Sequence, residues 1–489
     1  MDNHNQALQK ANQSIHNAKE RVKEHHWRER YHVEAPAYWI NDPNGFSFFN
    51  GEYHLFYQHH PYDSTWGPMH WGHVKSRDLA TWEHLPIALA PSEDYDRDGC
   101  FSGSAFKKDG KLYLMYTGNV WTGPDHESQL KQVQAIAVSE DGIHFTKIEN
   151  NPVITKAPEE GDIHPFHFRD PKVWQHDDSY YCVLGSRTKD HIGQVLLYKS
   201  QDLVEWEFVS VMAKGEGNFG YMWECPDFFE LEGQGVLVMS PQGLKPEGHK
   251  YQNLHQAGYI LGSLNYETGK LSQGSFEMLD HGFDFYAPQT TIDEKGRRIA
   301  IAWMNMWESK MPEQEVDWAG AMTIPRELKL KDGKIISSPV EELKSLRKNE
   351  ISYTNLLVEG ETSFPDVSGT SLELELEIHS QQATRFGLKL RKSETEETVI
   401  TYDVKEQMIT LDREKSGQGP GGVRQAPLAL VEKVLKLQVY LDSSSIEVFI
   451  NGGEKVMTAR IYPSEQAQAI SFFADDQVTI TSLKKWEIR

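Results

Sequence analysis

Cysteine is the scarcest reactive side chain in this sequence. Only Cys100, Cys182 and Cys225 occur among 489 residues, an odd number at wide spacing. That excludes a disulfide framework, and no CxxC pair offers a metal site. Also missing is any apolar run approaching the roughly 20 residues of a membrane span. The chain starts with polar residues, Met1-Asp2-Asn3-His4-Asn5-Gln6, and no apolar stretch follows, so no export signal is expected. Cations are in deficit: 50 Lys and Arg stand against 72 Asp and Glu, a formal net charge of −22. Such a surface repels phosphodiester backbones and anionic lipid, which removes nucleic acid and membrane from the expected partners. These absences point to a soluble cytoplasmic protein and leave a small neutral substrate open.

Aromatic residues, by contrast, are dense: 13 Trp, 20 Tyr and 21 Phe. They suit a core between β-sheets, and those set beside Gly, Asp or Asn in loops suit stacking on sugar rings. Residues 5–30 hold no Gly or Pro and read as one polar helix with a thin apolar stripe (Leu8, Ile15, Ala18, Val22), an N-terminal extension over 1–30. From residue 31 short β-branched and aromatic runs repeat. Strands following tight turns start at Tyr53, Leu112, Tyr180, Val236 and Ile299, separated by 59, 68, 56 and 63 residues. A second repeat runs in phase with the first three copies: Ser76-Arg77-Asp78, Ser139-Glu140-Asp141 and Ser200-Gln201-Asp202, each with an aromatic four residues beyond its Asp. This is a turn leading into an outer strand. The period predicts an all-β architecture, a five-bladed β-propeller over 31–336.

A Pro-started linker helix is expected at 337–350, and a β-sandwich over 351–489. Strict alternation in Leu372-Glu-Leu-Glu-Leu-Glu-Ile378 and Ile446-Glu-Val-Phe-Ile450 before Asn451-Gly452 supports the sandwich. Gly417, Gly419 and Gly422 form a GxGxxG without strand–helix context and are read as a hairpin loop.

Three carboxylates stand against a Pro and an aromatic: Asp42 in Trp39-Ile40-Asn41-Asp42-Pro43-Asn44-Gly45, Asp170 in Phe168-Arg169-Asp170-Pro171, and Glu224 in Trp223-Glu224-Cys225-Pro226-Asp227. Locally, Asp-Pro-Asn-Gly reads as a turn. In a propeller, equivalent positions of different blades converge on one axis. Three carboxylates in one pocket must divide labour, and glycoside cleavage requires such a division. Asp42, held by a rigid turn, suits an ionised nucleophile. Glu224, between Trp223 and Cys225-Pro226, is expected in apolar company that raises its pKa, as a general acid needs. Asp170 is expected to stay ionised beside Arg169. Cys225 has no basic neighbour in sequence and is not a nucleophile. The histidines (His59, His60, His70, His73, His164, His167) have no ligand spacing, so no metal is expected.

These motifs, with Phe101-Ser102-Gly103-Ser104, Ser445-Ile446-Glu447-Val448-Phe449 and Ala459-Arg460-Ile461-Tyr462-Pro463, resemble glycoside hydrolase family 32 over residues 31–489. The resemblance implies a five-bladed propeller and sandwich, and a retaining β-fructofuranosidase working through a fructosyl-enzyme. It implies Asp42 as nucleophile, Glu224 as acid/base and Asp170 as transition-state stabiliser. Around the sugar it implies Trp39, Ile40, Asn41, Gln58, Trp66, Phe101, Ser102, Arg169 and Trp307. Within the family, Phe219-Gly220-Tyr221-Met222, Ser240-Pro241-Gln242-Gly243 and Phe283-Asp284-Phe285-Tyr286-Ala287-Pro288-Gln289-Thr290 look like the bacterial sucrose-6-phosphate hydrolase group. The expected substrate is sucrose or sucrose 6-phosphate, with no cofactor, in a monomer or homodimer. No phosphate site stands out; Arg187, Lys189 or a histidine are the candidates. Fructan hydrolysis, fructosyl transfer and, in another class, non-catalytic fructan binding are the alternatives.

Overall fold

The computed structural model describes residues 2–489. Five antiparallel sheets follow one another around an axis. The first four strands of the ring (Tyr38–Phe49, Glu52–His60, His70–Ser76, Glu83–Leu89) form blade 1. The innermost strands of blades 2 to 5 are Cys100–Lys108, Phe168–His176, Met222–Leu231 and Tyr286–Ile292. The ring closes where Trp318–Ala319, from the last blade, pairs in parallel with Tyr38 and Trp39. The five-strand sequence repeat is the second strand of each blade, buried on both faces. The Ser-x-Asp repeat is one hydrogen-bonded turn used three times. Asp78 Oδ1 accepts from the N–H groups of Ala80 and Thr81, Asp141 Oδ1 from Ile143 and His144, and Asp202 Oδ1 from Val204 and Glu205, all within 2.8–3.0 Å.

Asp42 does not sit in a turn. Asp-Pro-Asn-Gly lies within the innermost strand of blade 1. An innermost strand is a sheet edge, so Pro43 costs no ladder hydrogen bond. What the local turn signal records is a β-bulge: Asn41 and Asp42 together oppose Gln58 alone, between the pairs Ile40–His59 and Pro43–Tyr57. The same two-for-one bulge recurs in every blade, at Phe101-Ser102, Asp170-Pro171, Cys225-Pro226 and Ala287-Pro288. Asp170, Cys225 and Ala287 take φ of 65°, 49° and 51° there. Bulges bend a strand and re-aim its side chains. Five of them at one height turn the inner strands' side chains toward the axis.

The N-terminal helix spans Asn3–Val22, shorter than expected, and residues beyond it turn toward the sandwich. It is more than an appendage. It covers the outer strand of blade 1, where Asn12 Oδ1 accepts from Ile87 N–H at 3.0 Å and His4 Nε2 from Ala90 N–H at 3.2 Å, protecting an open sheet edge. The helix expected at 337–350 reduces to a 3₁₀ turn, Glu341–Leu346, between strands Lys334–Pro339 and Arg347–Thr362. Pairing partners on both sides (residues 326–331 and 472–488) outcompete its helical propensity. The C-terminal strands form one nearly closed sheet wrapped around an aliphatic core that includes Leu374, Leu388, Leu437 and Ile480. Gly417–Gly422 is indeed the loop between strands Met408–Lys415 and Val423–Pro427. Among the described residues no helix is long and apolar enough to cross a membrane.

Candidate active site

Above the bulges lies a cavity of about 580 Å³, within the size range of small-ligand sites. Asp42, Asp170 and Glu224 all line it, from blades 1, 3 and 4. Asp42 and Asp170 form its floor, only 8% and 6% exposed. Ser102 Oγ donates to Asp42 Oδ2 at 2.8 Å, whereas Asp42 Oδ1 is buried with no protein partner. Asp170 Oδ2 accepts from the backbone N–H of Cys225 at 2.9 Å. The Cys225 thiol lies 3.5 Å from Asp42 Oδ2 and 3.7 Å from Asp170 Oδ2. Burial and the surrounding carboxylates push that thiol well up, so it stays protonated and is no nucleophile.

Glu224 is held by polar groups, not by its apolar sequence neighbours. Arg169 donates from Nε (3.1 Å) and Nη2 (2.8 Å) to Oε1, while Gln242 Nε2 (2.9 Å) and Tyr286 OH (2.6 Å) donate to Oε2. Trp223 points the other way, into the core between blades 3 and 4. The apolar surroundings expected for Glu224 are therefore absent, because alternation sends Trp223 to the opposite face while the bulge turns the Cys225 thiol to Asp42 and Asp170. Arg169, likewise, spends its fork on Glu224 rather than on Asp170. Burial and the charge of Glu224 raise Asp170 to about 7, with Arg169 opposing. Burial, then Glu224, raises Asp42 to about 6, against the Ser102 and Cys225 hydrogen bonds and the nearby Asn41 amide.

Of the residues expected around a sugar, Asn41, Gln58, Trp66, Phe101, Ser102, Arg169 and Trp307 line the cavity. Trp66 and Phe101 stand edge-to-face, ring centres 6.0 Å apart. Ile40 and Trp39 do not line it. Ile40 is fully buried in the blade 1 core with Phe46 and Tyr57, since the bulge begins one residue later. Trp39 packs behind the wall against Trp307, its Nε1 donating to Asn41 Oδ1 at 2.7 Å. Arg187 and Lys189, candidates for a phosphate, are outside the lining; so are His59, His70 and His73, buried in blade 1.

Sequence reasoning left Gln242, Tyr286 and the rim residues Trp121, His126 and Glu127 unassigned. One signal was available. Arg169, Glu224 and Tyr286 each stand two residues before a proline and directly before a bulge, in blades 3, 4 and 5. Equivalent positions in adjacent blades meet, and these three do.

The family model for the N-terminal domain of glycosyl hydrolases family 32 matches residues 32–339, and the model for that family's C-terminal domain matches 342–487. A sucrose-6-phosphate hydrolase of Zymomonas mobilis is 42% identical, covering 99% of this chain and 96% of its own. A silkworm (Bombyx mori) family 32 β-fructofuranosidase, solved in complex with sucrose, superposes with TM-score 0.85 at 37% identity, covering 99% of this chain and 98% of its own. The sucrose-6-phosphate hydrolase structure from Lactobacillus gasseri gives TM-score 0.88 at 31% identity, over 98% of this chain and 96% of its own. With both halves matched and three carboxylates gathered on the propeller axis, the chain belongs to glycosyl hydrolase family 32.

Proposed function

We propose that this protein is a retaining β-fructofuranosidase, releasing the terminal fructosyl unit of sucrose or sucrose 6-phosphate in the cytoplasm. The observation that carries the reading is the asymmetry at Asp42: Oδ2 is fixed by Ser102 while Oδ1 has no partner. One oxygen is thus held and the other is free to attack. With its pKa near 6, Asp42 is ionised at neutral pH. Oδ1 attacks the anomeric carbon as Glu224 gives its proton to the glycosidic oxygen, and glucose (or its 6-phosphate) leaves. Water then attacks the fructosyl ester of Asp42, Glu224 takes the water's proton, and fructose departs with the configuration retained. Arg169, Gln242 and Tyr286 hold Glu224 in one orientation through both steps. Asp170, buried beside Asp42, suits gripping the sugar hydroxyls.

Purified Asp42→Asn and Glu224→Gln are each expected to fold and to lose hydrolysis; full activity in either sinks the assignment. Asp170→Asn is expected to lose less, and wild-type rates would remove its role. Proton NMR of the first-formed fructose is expected to show the β anomer, and an α product would mean inversion.

A further inference from the structure

Resting on the β-fructofuranosidase reading, we infer that the leaving-group end of the cavity is built for a neutral sugar, so that sucrose is preferred over sucrose 6-phosphate. The fructosyl unit must reach the buried floor at Asp42, which places the leaving glucose toward the rim, where Asp125, His126 and Glu127 are exposed. Five carboxylates line the cavity (Asp42, Asp125, Glu127, Asp170, Glu224), against one guanidinium, Arg169, and no lysine among the described residues.

Arg169 is already spent. Its Nε and Nη2 donate to Glu224, and Nη1 donates to His167 Nδ1 at 3.1 Å. His167 supplies no positive charge. Burial and Arg169 push its pKa far down, and its Nε2–H donates to the Glu127 carbonyl at 2.7 Å. His126 lies flat on Trp121, ring centres 3.9 Å apart at 9°. Arg187, outside the lining, is only 3% exposed, and its Nη1 donates to Glu127 Oε1 at 2.6 Å. Glu127 and Arg187 therefore form a neutral pair, which leaves Asp125 as the unpaired anion of the rim. A phosphate near its dianionic form would meet the Asp125 carboxylate and a guanidinium already paired with Glu127. The hydroxyls of an uncharged glucose meet no such penalty, and Trp121, Trp66 and Phe101 offer ring surfaces for its apolar face.

The test is kcat/KM on sucrose and on sucrose 6-phosphate at about pH 8, where a free imidazole is neutral, and at low salt. Sucrose is expected to be favoured by about tenfold or more. Hydrolysis of both with sucrose 6-phosphate equal or preferred overturns this inference and leaves the β-fructofuranosidase reading standing; hydrolysis of neither sinks both. Raising ionic strength from about 0.02 M to about 0.5 M should lift the phosphorylated substrate several-fold and leave sucrose flat. Glu127→Gln, which also releases Arg187, should narrow the sucrose preference by about threefold or more. If that variant does not fold, Asp125→Asn serves for the same measurement. A preference that moves with neither salt nor rim charge would be steric, against the inference.

Discussion

At the seam between propeller and sandwich, Asp442 accepts hydrogen bonds from the backbone N–H groups of Arg30, Tyr31 and Ser443 and faces His32 Nδ1 at 2.8 Å. At the propeller axis, also buried, Asp42 has the Ser102 hydroxyl and the Cys225 thiol on Oδ2 and nothing on Oδ1. The seam continues in the same manner. Glu447 takes His32 Nε2 at 3.0 Å, the Ile324 N–H at 2.8 Å and the Arg326 guanidinium, which also reaches Asp280 at 2.9 Å. Burial alone would raise Asp442 and Glu447, yet their partners hold both below the usual carboxylate range. Burial also works against a charged His32, but its bonds to Asp442 and Glu447 and the charge of Glu29 lift it to about 10. Asp442 and Glu447 are thus stapled by partners, whereas Asp42 keeps one oxygen without any. Satisfied buried charge fixes how two domains sit. Unsatisfied buried charge is reactivity held ready for a ligand.

The widest separation between the two regions should come from Asp42→Asn. We expect kcat to fall on the order of 10⁴-fold, as when a nucleophile is removed. His32→Leu should do the reverse: a loss of about 3–5 kcal/mol in urea unfolding, since Asp442 and Glu447 lose their shared cation, with kcat of the folded fraction kept. A His32→Leu protein as stable as wild type would dissolve the contrast. Next, Asp42→Asn should stabilise the protein by about 1–3 kcal/mol at pH 8 and by little at pH 4. The sign follows from the raised folded pKa: the proton's stabilisation is present below the ordinary carboxylate value and lost as pH rises through about 6. For His32 the stabilising charge is fully present below the ordinary imidazole value and lost as pH rises toward about 10, so unfolding midpoints should drop across that alkaline window. Activity should instead fall on the acid side, as Asp42 takes its proton near pH 6. Tyr286→Phe should lower kcat by about tenfold with little change in KM, because it removes one of the bonds orienting Glu224. Smallest, Asn12→Ala should cost about 1 kcal/mol by undocking the helix from blade 1, and calorimetry would register it.

Much of this was legible in one dimension. The blade period, the Ser-x-Asp turn and the alternation of residues 372–378 are local signals, because each strand's face and each turn's hydrogen bonds are set by neighbours in sequence. The three carboxylates stood out as motifs, but locally Asp42 read as a turn, and the family resemblance supplied their roles. Side-chain environments were not legible. Trp223 adjoins Glu224 in sequence but packs into the core between blades 3 and 4, and Arg169 adjoins Asp170 along the chain yet bonds to Glu224, 55 residues away. A strand sends successive side chains to opposite faces, so adjacency in sequence is poor guidance to what a carboxylate sees.

By itself, then, the sequence determined the blades, the sandwich and the identity of the groups able to do chemistry, since propensity, period and proline placement act within a few residues. Only the tertiary structure decided that Asp-Pro-Asn-Gly is a bulge rather than a turn. It also decided that Arg169, Glu224 and Tyr286 meet, and that Asp42 keeps one oxygen free while Asp442 keeps none. Those outcomes depend on strands far apart in the chain arriving at one axis or one seam. Hydrogen-bond satisfaction and burial are properties of that arrival.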